Sequence, residues 1–347
     1  MRIDDKKFSI GKLKHEYLAR MLKDFVSDLE VHDNRVIMGS KIGEDAAVID
    51  MGDNYLVAKT DPITFTTDEI GYYAVNVNVN DIVCMGATPK WFQSTILLPE
   101  RDTTEELVEN IFKNIHDTCE SMEITVIGGH TEVTPDLNRP IIIGNLLGEV
   151  EKEKLVITSG AEPGDTLVLT KGIFIEGTSI IGREKEKDLI EKGVNSEFIE
   201  KCKNYLYDPG ISVFQDALLS NKHFQIKSFH DPTEGGLACG IAEMTIASNT
   251  GVLIEQEKIK VLPEPLKLSN IFDINPMGTI SSGSLLIAIE DKDGSVSELI
   301  DLLNKNSILA SKIGKFTSKD KGLIIKDNNG KKTPMEYSET DEITKIY

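Results

Sequence analysis

Asn76-Val77-Asn78-Val79-Asn80-Asp81-Ile82-Val83-Cys84-Met85-Gly86-Ala87-Thr88-Pro89 is the stretch on which the chain turns. It sets Asn76, Asn78, Asn80 and Asp81 into an otherwise apolar run. Asn and Asp are poor in helices and strands because their side chains compete for backbone hydrogen bonds. A run that keeps them is either using the polar groups or is a core helix with a few solvated amides. Val75, Val77 and Val79 alternate with Asn as in a half-buried strand, whereas Ile70, Ala74, Val77 and Asp81 share one helical face. Gly86 followed by Pro89 is a helix stop. Stop and length together predict a helix starting near Asp68.

Upstream, residues 36–61 read as strands, with Ala46–Ile49 and Tyr55–Ala58 flanking the turn Met51-Gly52-Asp53-Asn54. Asp45 and Asp61 mark the outer ends of this hairpin, and antiparallel pairing makes them neighbours; each singly is also an ordinary turn residue. Residues 9–30 read as a helix behind a short arm, Gly11-Lys12-Leu13. Downstream come a strand from Trp91 to Leu98 and a helix from Thr104 to Met122, opened by the capping box Thr103-x-x-Glu106. A strand from Ile124 to Ile127 then ends in Gly128-Gly129-His130-Thr131-Glu132, and Arg139 to Val150 is another strand. Two glycines at a strand end permit close backbone approach to a ligand and offer N–H groups to phosphate oxygens, although a tight turn uses the same pair.

The turn cluster Gly160-Ala161-Glu162-Pro163-Gly164-Asp165 lies near a domain boundary. The expected division is an arm and helix at 1–35, a first domain at 36–155 and a second at 156–347. In the second half, Thr166–Thr170 is a strand and Glu176-Gly177-Thr178 resembles a ligand-facing turn. Residues 183–207 read as a charged helix and Ile211–Leu219 as another. The strand Phe224–Phe229 ends in His230-Asp231-Pro232-Thr233-Glu234-Gly235-Gly236-Leu237. A helix to about Ser248 follows, capped by Thr233, its positive end facing any anion beside Asp231. Strands at Leu285–Ile289, Ile308–Phe316 and Leu323–Ile325 and a helix at Ser295–Leu303 complete an α/β or α+β pattern.

The formal charge of −19 argues against nucleic acid and anionic membrane as partners, since both need a basic face. Cys84, Cys119, Cys202 and Cys239 form no C-x-x-C pair, which argues for a reducing compartment rather than a disulfide framework. With no apolar signal core at the N-terminus and no apolar run of ~18 residues, a cytoplasmic protein is expected.

Asp45, Asp61, Asp81, Glu132 and Asp231 each sit at the edge of an expected element beside Gly or Pro. Carboxylates gathered in one site repel unless cations neutralise them, and Mg²⁺ held by a few carboxylates and substrate phosphates is the usual solution. Taken singly, each acid is also an ordinary turn or cap residue. If they gather, Asp61→Asn or Asp81→Asn should leave the metal-free protein level or more stable, by relieving repulsion. No Walker A or G-x-G-x-x-G motif occurs, so such a nucleotide site would be of another kind.

Gly43-Glu44-Asp45-Ala46-Ala47-Val48, Thr60-Asp61, Asn80-Asp81-Ile82-Val83-Cys84-Met85-Gly86-Ala87-Thr88-Pro89, Gly128-Gly129-His130-Thr131 and Asp231-Pro232-Thr233-Glu234-Gly235-Gly236-Leu237 occur in the order seen in the aminoimidazole ribonucleotide synthetase (PurM-like) superfamily. Over nearly its whole length the chain resembles this superfamily, most of all the hydrogenase maturation protein HypE and its archaeal-type relatives. The resemblance implies a two-domain α/β (α+β) fold. The N-terminal domains of two subunits would form a shared β-barrel, giving a homodimer through residues ~40–150 that removes exposed sheet edges. It implies Mg²⁺ ligands at Asp45, Asp61, Asp81 and Asp231, and ATP contacts from Asp61, Asn80, Gly128, Gly129 and Thr131. Asp81, Asp231 and His130 would face the reaction. The implied activity is ATP-dependent, Mg²⁺-requiring phosphorylation of a carbonyl or acid oxygen on a small-molecule substrate. The alternatives are a nucleotide-binding maturation or assembly partner without turnover, and a small-molecule kinase resembling thiamine monophosphate kinase.

Three departures accompany the resemblance. Glu44 stands in a Gly-Asp-Asp motif, and His130 stands where an acid is common, although imidazole is a poor Mg²⁺ ligand. The third is the C-terminal cysteine of HypE: residues 328–347 contain none, so this chain is not expected to carry a carbamoyl group there.

Overall fold

The computed structural model describes residue 13 and residues 15–26, 32–39, 46–64 and 66–347. Asp45, the Gly43-Glu44 dipeptide and the Gly11-Lys12 arm lie outside them, and with them the expected Asp45–Asp61 pairing. An amphipathic helix α1 (His15–Phe25) precedes β1 (Val36–Met38), β2 (Ala47–Asp50) and β3 (Asn54–Ile63). The helix α2 (Ile70–Cys84) follows, then β4 (Thr88–Pro99), α3 (Glu105–Ser121), β5 (Thr125–Thr134) and β6 (Ile141–Glu151). These strands form one sheet in the order β1-β2-β3-β6-β4-β5. Only β4 and β5, joined through α3, run parallel.

The quoted stretch is a helix, and its packing explains why it tolerates so many amides. Asn76 and Asn78 donate from Nδ2 to the carbonyls four residues back, Tyr72 (2.9 Å) and Ala74 (2.8 Å), and Asn78 Nδ2 also reaches Asp61 O on β3 (3.5 Å). The helix lies directly across β6. A Cβ on Gly144 would meet Asn78 Nδ2 at 2.3 Å, and one on Gly148 would meet Ile82 Cγ2 at 2.6 Å. Buried on nearly every side, α2 shows no clean amphipathic stripe. That is why its periodicity is ambiguous in sequence.

Three first-half expectations need correction. The strand of Asp61 does not end at Ala58: β3 runs on to Ile63 and places Asp61 opposite Gly144 and Pro62 opposite Ile143. Beyond Ala58 only β6 flanks it among the described residues, an edge position open to proline. Gly128-Gly129 is not a strand end. It sits inside β5 at a bulge, where Phe92 pairs with Val126 but Gln93 with Gly128. Gly129 has φ +153°, and a Cβ there would meet Ser94 O at 2.2 Å, so backbone proximity to β4 requires the glycine. The cap of α3 is Thr104, whose Oγ1 accepts from Leu107 N, while Thr103 donates to Pro99 O.

The second sheet has the order β13-β12-β9-β11-β7-β10-β8. Its strands are β7 (Thr166–Thr170), β8 (Ile226–His230), β9 (Gly251–Glu255), β10 (Leu286–Ile289), β11 (Ala310–Thr317), β12 (Leu323–Lys326) and β13 (Lys332–Pro334). Strands β7 and β10 are buried on both faces. Leu167, Leu169, Leu286 and Ala288 pack toward α8 (Gly236–Ser248) through Leu237, Ile241 and Met244. Val168 and Ile287 join the other core, which is continuous with α2 of the first half. The single charged helix expected at 183–207 is three: α4 (Ile175–Glu184), α5 (Glu186–Glu191) and α6 (Ser196–Asn204). Gly193, at φ +76°, precedes the last break, and Asn195 caps α6 by accepting from Phe198 N. Glu176-Gly177-Thr178 is therefore the first turn of α4 rather than a loop. The expected Ile211 helix is α7 (Phe214–His223), and α9 (Pro263–Phe272) and α10 (Ser295–Lys305) follow. Gly235, not Thr233, is the residue at the start of α8. Strands β9 and β13 and helix α9 had no counterpart in the sequence reading; α9 opens on Pro263 at its first turn, where a missing N–H costs nothing. Among the described residues, no helix is long and apolar enough to cross a membrane.

Candidate functional site

A cavity of about 490 Å³ opens between the two halves of the molecule. The end of β3 supplies Asp61 and Ile63, α2 supplies Tyr73 and Val77, and α4 supplies Glu176 and Ile180. Thr233, Glu234, Ile280 and Ser282 close the far side. The halves are tied together around it. Asn80 Nδ2 donates to Ile211 O (2.9 Å) and Asn80 Oδ1 accepts from Val213 N (2.9 Å). Tyr73 Oη donates to Ser179 Oγ (3.2 Å), and Arg183 reaches both Asp68 and Lys203 O.

At one end of the cavity, Lys59 Nζ lies 3.5 Å from Asp61 Oδ2 and 3.2 Å from Asp81 Oδ2. Lys59 and Asp61 share a face of β3 by the two-residue strand period, and α2 brings Asp81 over the same point. The repulsion expected between these acids is thus already answered by an ammonium from the protein itself. Asp231, on the loop after β8, is buried, and its Oδ1 accepts from Cys84 Sγ at 3.7 Å. It touches α2 one turn beyond Asp81.

The remaining expected site residues fall elsewhere. Asn80 is fully buried with both ends of its amide bound to backbone, so it is an interdomain clamp and offers nothing to a ligand. Asp61, Gly144, Ser94 and Gly129 lie in one row across β3, β6, β4 and β5. Three strand spacings, roughly 14 Å, therefore separate Gly129 from Asp61 within one chain. Gly128, His130 and Thr131 share that distant strand. His130 is exposed there and pairs with Glu132, Nε2 to Oε2 3.2 Å, two residues on along the same face. The expected convergence of all the acids is reduced, among the described residues, to the Asp61–Asp81 pair with Asp231 nearby. Among the described residues, the one group of three His, Cys, Asp or Glu side chains close enough to hold a common ion is His116, Asp117 and Glu120, exposed on α3.

Three groups in or next to the cavity lining emerge only from the structure. Lys59 is one; a lysine two residues before Asp61 in a strand was the signal for it. Glu176 is the second. It is buried, and burial, with Asp341, Glu234 and Asp231 adding to it, pushes its carboxyl up to about 7. Asp341 is the third. Its Oδ2 accepts from Gly235 N (2.7 Å) and its Oδ1 from Ile343 N (2.8 Å), fastening the C-terminal segment to the loop before α8. Burial outweighs those hydrogen bonds and raises it to about 6. None of the four cysteines is in a disulfide, and all are buried on helices.

Residues 43–150 match the model of the AIR synthase related protein N-terminal domain, and residues 162–326 match that of the C-terminal domain. A protein of Methanocaldococcus jannaschii named for hydrogenase expression and formation is 28% identical over 332 residues, 93% of each chain. Among solved structures, HypE in the HypE–HypF complex superposes with a TM-score of 0.71 at 20% identity, covering 92% of this chain and 99% of that one. HypE in complex with ATP superposes with a TM-score of 0.66 at 18% identity, covering 98% of both. At these identities the structural likeness is one of fold.

Proposed function

The chain belongs to the AIR synthase related family, and on that premise we propose that it is an ATP-dependent, Mg²⁺-requiring enzyme that phosphorylates a carbonyl or acid oxygen of a small substrate in the interdomain cavity. The observation that carries this reading is the sharing of one ammonium by Asp61 and Asp81 at the cavity end. Two carboxylates that already require a cation offer the hard oxygen ligands Mg²⁺ prefers. Asp61 and Asp81 would hold the ion, with Asp231 facing the same region. When bound, the metal would supply neutralisation of phosphate charge. The chain's own part is to position the reactants between two domains clamped by Asn80 and Tyr73, and to exclude water with the apolar walls Val77, Ile180 and Ile280.

A homodimer through residues ~40–150 belongs to the same proposal. Strand β5 is the exposed edge of its sheet and shows Val126, Ile127 and Val133 about half uncovered, and a second copy would cover it. If Gly128, Gly129, His130 and Thr131 act on a nucleotide at all, their distance from Asp61 means that they do so from the partner subunit. The proposed division into domains at 155/156 follows the gap between β6 and β7. A protein partner in metalloenzyme maturation is supported by the relatives named above, and a reducing, cytoplasmic setting by the four cysteines outside any disulfide.

The test is Mg²⁺-dependent ATP hydrolysis, alone and with a panel of small carbonyl and carboxylic acid metabolites. Turnover stimulated by a panel member and lost in Asp61→Asn supports the enzyme. Mg·ATP binding without turnover under every condition favours a nucleotide-bound assembly partner instead, and no binding at all overturns the reading.

A further inference from the structure

Glu176, in the first turn of α4, lines the cavity from the second half of the chain, as Asp61 does from the first. Glu176 is 6% exposed, Ser282 hydrogen-bonds its carboxyl, and its Oε2 is buried with no hydrogen-bond partner among the described residues. An acid in the first turn of a helix is ordinarily exposed and complements the helix dipole. Here glutamine would fill the same space and avoid burying an ionisable group without a partner. The described side chains lining the cavity include Asp61, Glu176 and Glu234 but neither lysine nor arginine. Lys59 is held by Asp61 and Asp81, so among the described residues lining the cavity no cation meets Glu176. Tyr73, Val77, Ile180 and Ile280 add apolar surface to the same lining.

We infer that Glu176 is the substrate-recognition residue of this cavity, its free oxygen accepting from a cationic N–H-bearing group, of the amine or amidine class, on the molecule that the nucleotide would act upon. The inference rests on the nucleotide reading above for the second reactant, but the subsite itself is defined by the cavity alone. The acids around Glu176 repel an anionic ligand and attract a cationic one. A carboxyl raised to about 7 by burial is drawn to its ionised form when a cation arrives, and the resulting hydrogen bonds are charge-assisted. The apolar walls accommodate the carbon skeleton of such a ligand.

Benzamidine and benzoate are matched probes, equal in shape and opposite in charge. Their binding to the full-length protein is measured by ligand-observed NMR titration at neutral pH, with Glu176→Gln alongside and a thermal unfolding curve as its folding control. The expected result is measurable benzamidine binding, negligible benzoate binding, and about tenfold or greater weakening of benzamidine in Glu176→Gln. Benzoate binding as tightly as benzamidine to the wild-type protein overturns the assignment without recourse to any variant. So does a folded Glu176→Gln that keeps full benzamidine affinity. The Mg·ATP thermal shift is read on the same wild-type sample. If that shift is absent while the benzamidine preference holds, the nucleotide reading fails and the Glu176 subsite stands; an intact shift without the preference rejects the subsite alone.

Discussion

Replacing Asp81 with Asn removes one of the two carboxylates that share Lys59. From the sequence, loss of a charge from an acidic cluster should leave the metal-free protein level or more stable; the structure reverses that sign. Asp81 has 9% of its side chain exposed and holds Lys59 at 3.2 Å. An exposed ion pair contributes about 0–1 kcal/mol, and breaking a fully buried one costs about 3–5 kcal/mol. Lys59 is 22% exposed and keeps Asp61 at 3.5 Å, so this half-buried pair falls toward the lower figure and the expected loss is about 1–2 kcal/mol. For 347 residues unfolding together, at about 2.1 cal/mol/K per residue, this lowers Tm by about 1–3 °C. The ligand effect is opposite in kind. Mg·ATP at a hundredfold excess over its Kd stabilises the wild-type protein by about 2.7 kcal/mol, and a hundredfold loss of affinity cuts this to about 0.4 kcal/mol. Differential scanning calorimetry in EDTA and in Mg·ATP reads both numbers. A metal-free Tm equal to or above wild type refutes neutralisation by Lys59, and an undiminished Mg·ATP shift refutes Asp81 as part of the site.

Asn80→Ala leaves Val213 N–H and Ile211 C=O buried without the amide, and should cost roughly 2–4 kcal/mol in denaturant unfolding; a loss under about 0.5 kcal/mol would mean the halves are not clamped there. Glu176 titrates at about 7 when folded against an ordinary 4.5, so the folded chain keeps a proton that the unfolded chain releases between those values. Its stability contribution is therefore present below 4.5 and lost as pH rises to about 7, with Asp341 acting alike between 3.8 and about 6. Glu176→Gln cannot titrate, so its Tm relative to wild type should rise from about pH 5 to about pH 8; a difference independent of pH contradicts the burial argument. Val126→Lys on the exposed edge of β5 should convert a dimer to a monomer by light scattering while leaving the fold intact, and an unchanged dimer mass places the interface elsewhere.

The legible parts of this protein were those written in local patterns. The apolar runs at β7 and β10 announce strands, the Ile111, Ile115 and Cys119 spacing of α3 announces a helix, and Gly86 with Pro89 marks where α2 stops. The ordered motifs from Asp61 to Gly236 carry the family. Asn80 was legible as an unusual residue but not in its role, because its partners, Ile211 and Val213, lie more than 130 positions away. Gly129 is legible as a glycine that allows close backbone approach, but not in what approaches it. Its freedom serves contact with Ser94 of the neighbouring strand, which no local pattern reveals.

By itself the sequence determined the type of most elements, the family and the identity of the acids that could serve a cation. Which of those acids meet was decided by tertiary structure alone. Strand period and helix placement put Lys59, Asp61 and Asp81 at one point, whereas the strand order β3-β6-β4-β5 carries Gly129 and His130 roughly 14 Å away. Charge neutralisation and hydrogen bonding act over a few ångströms, and distance along the chain says little about distance across a sheet.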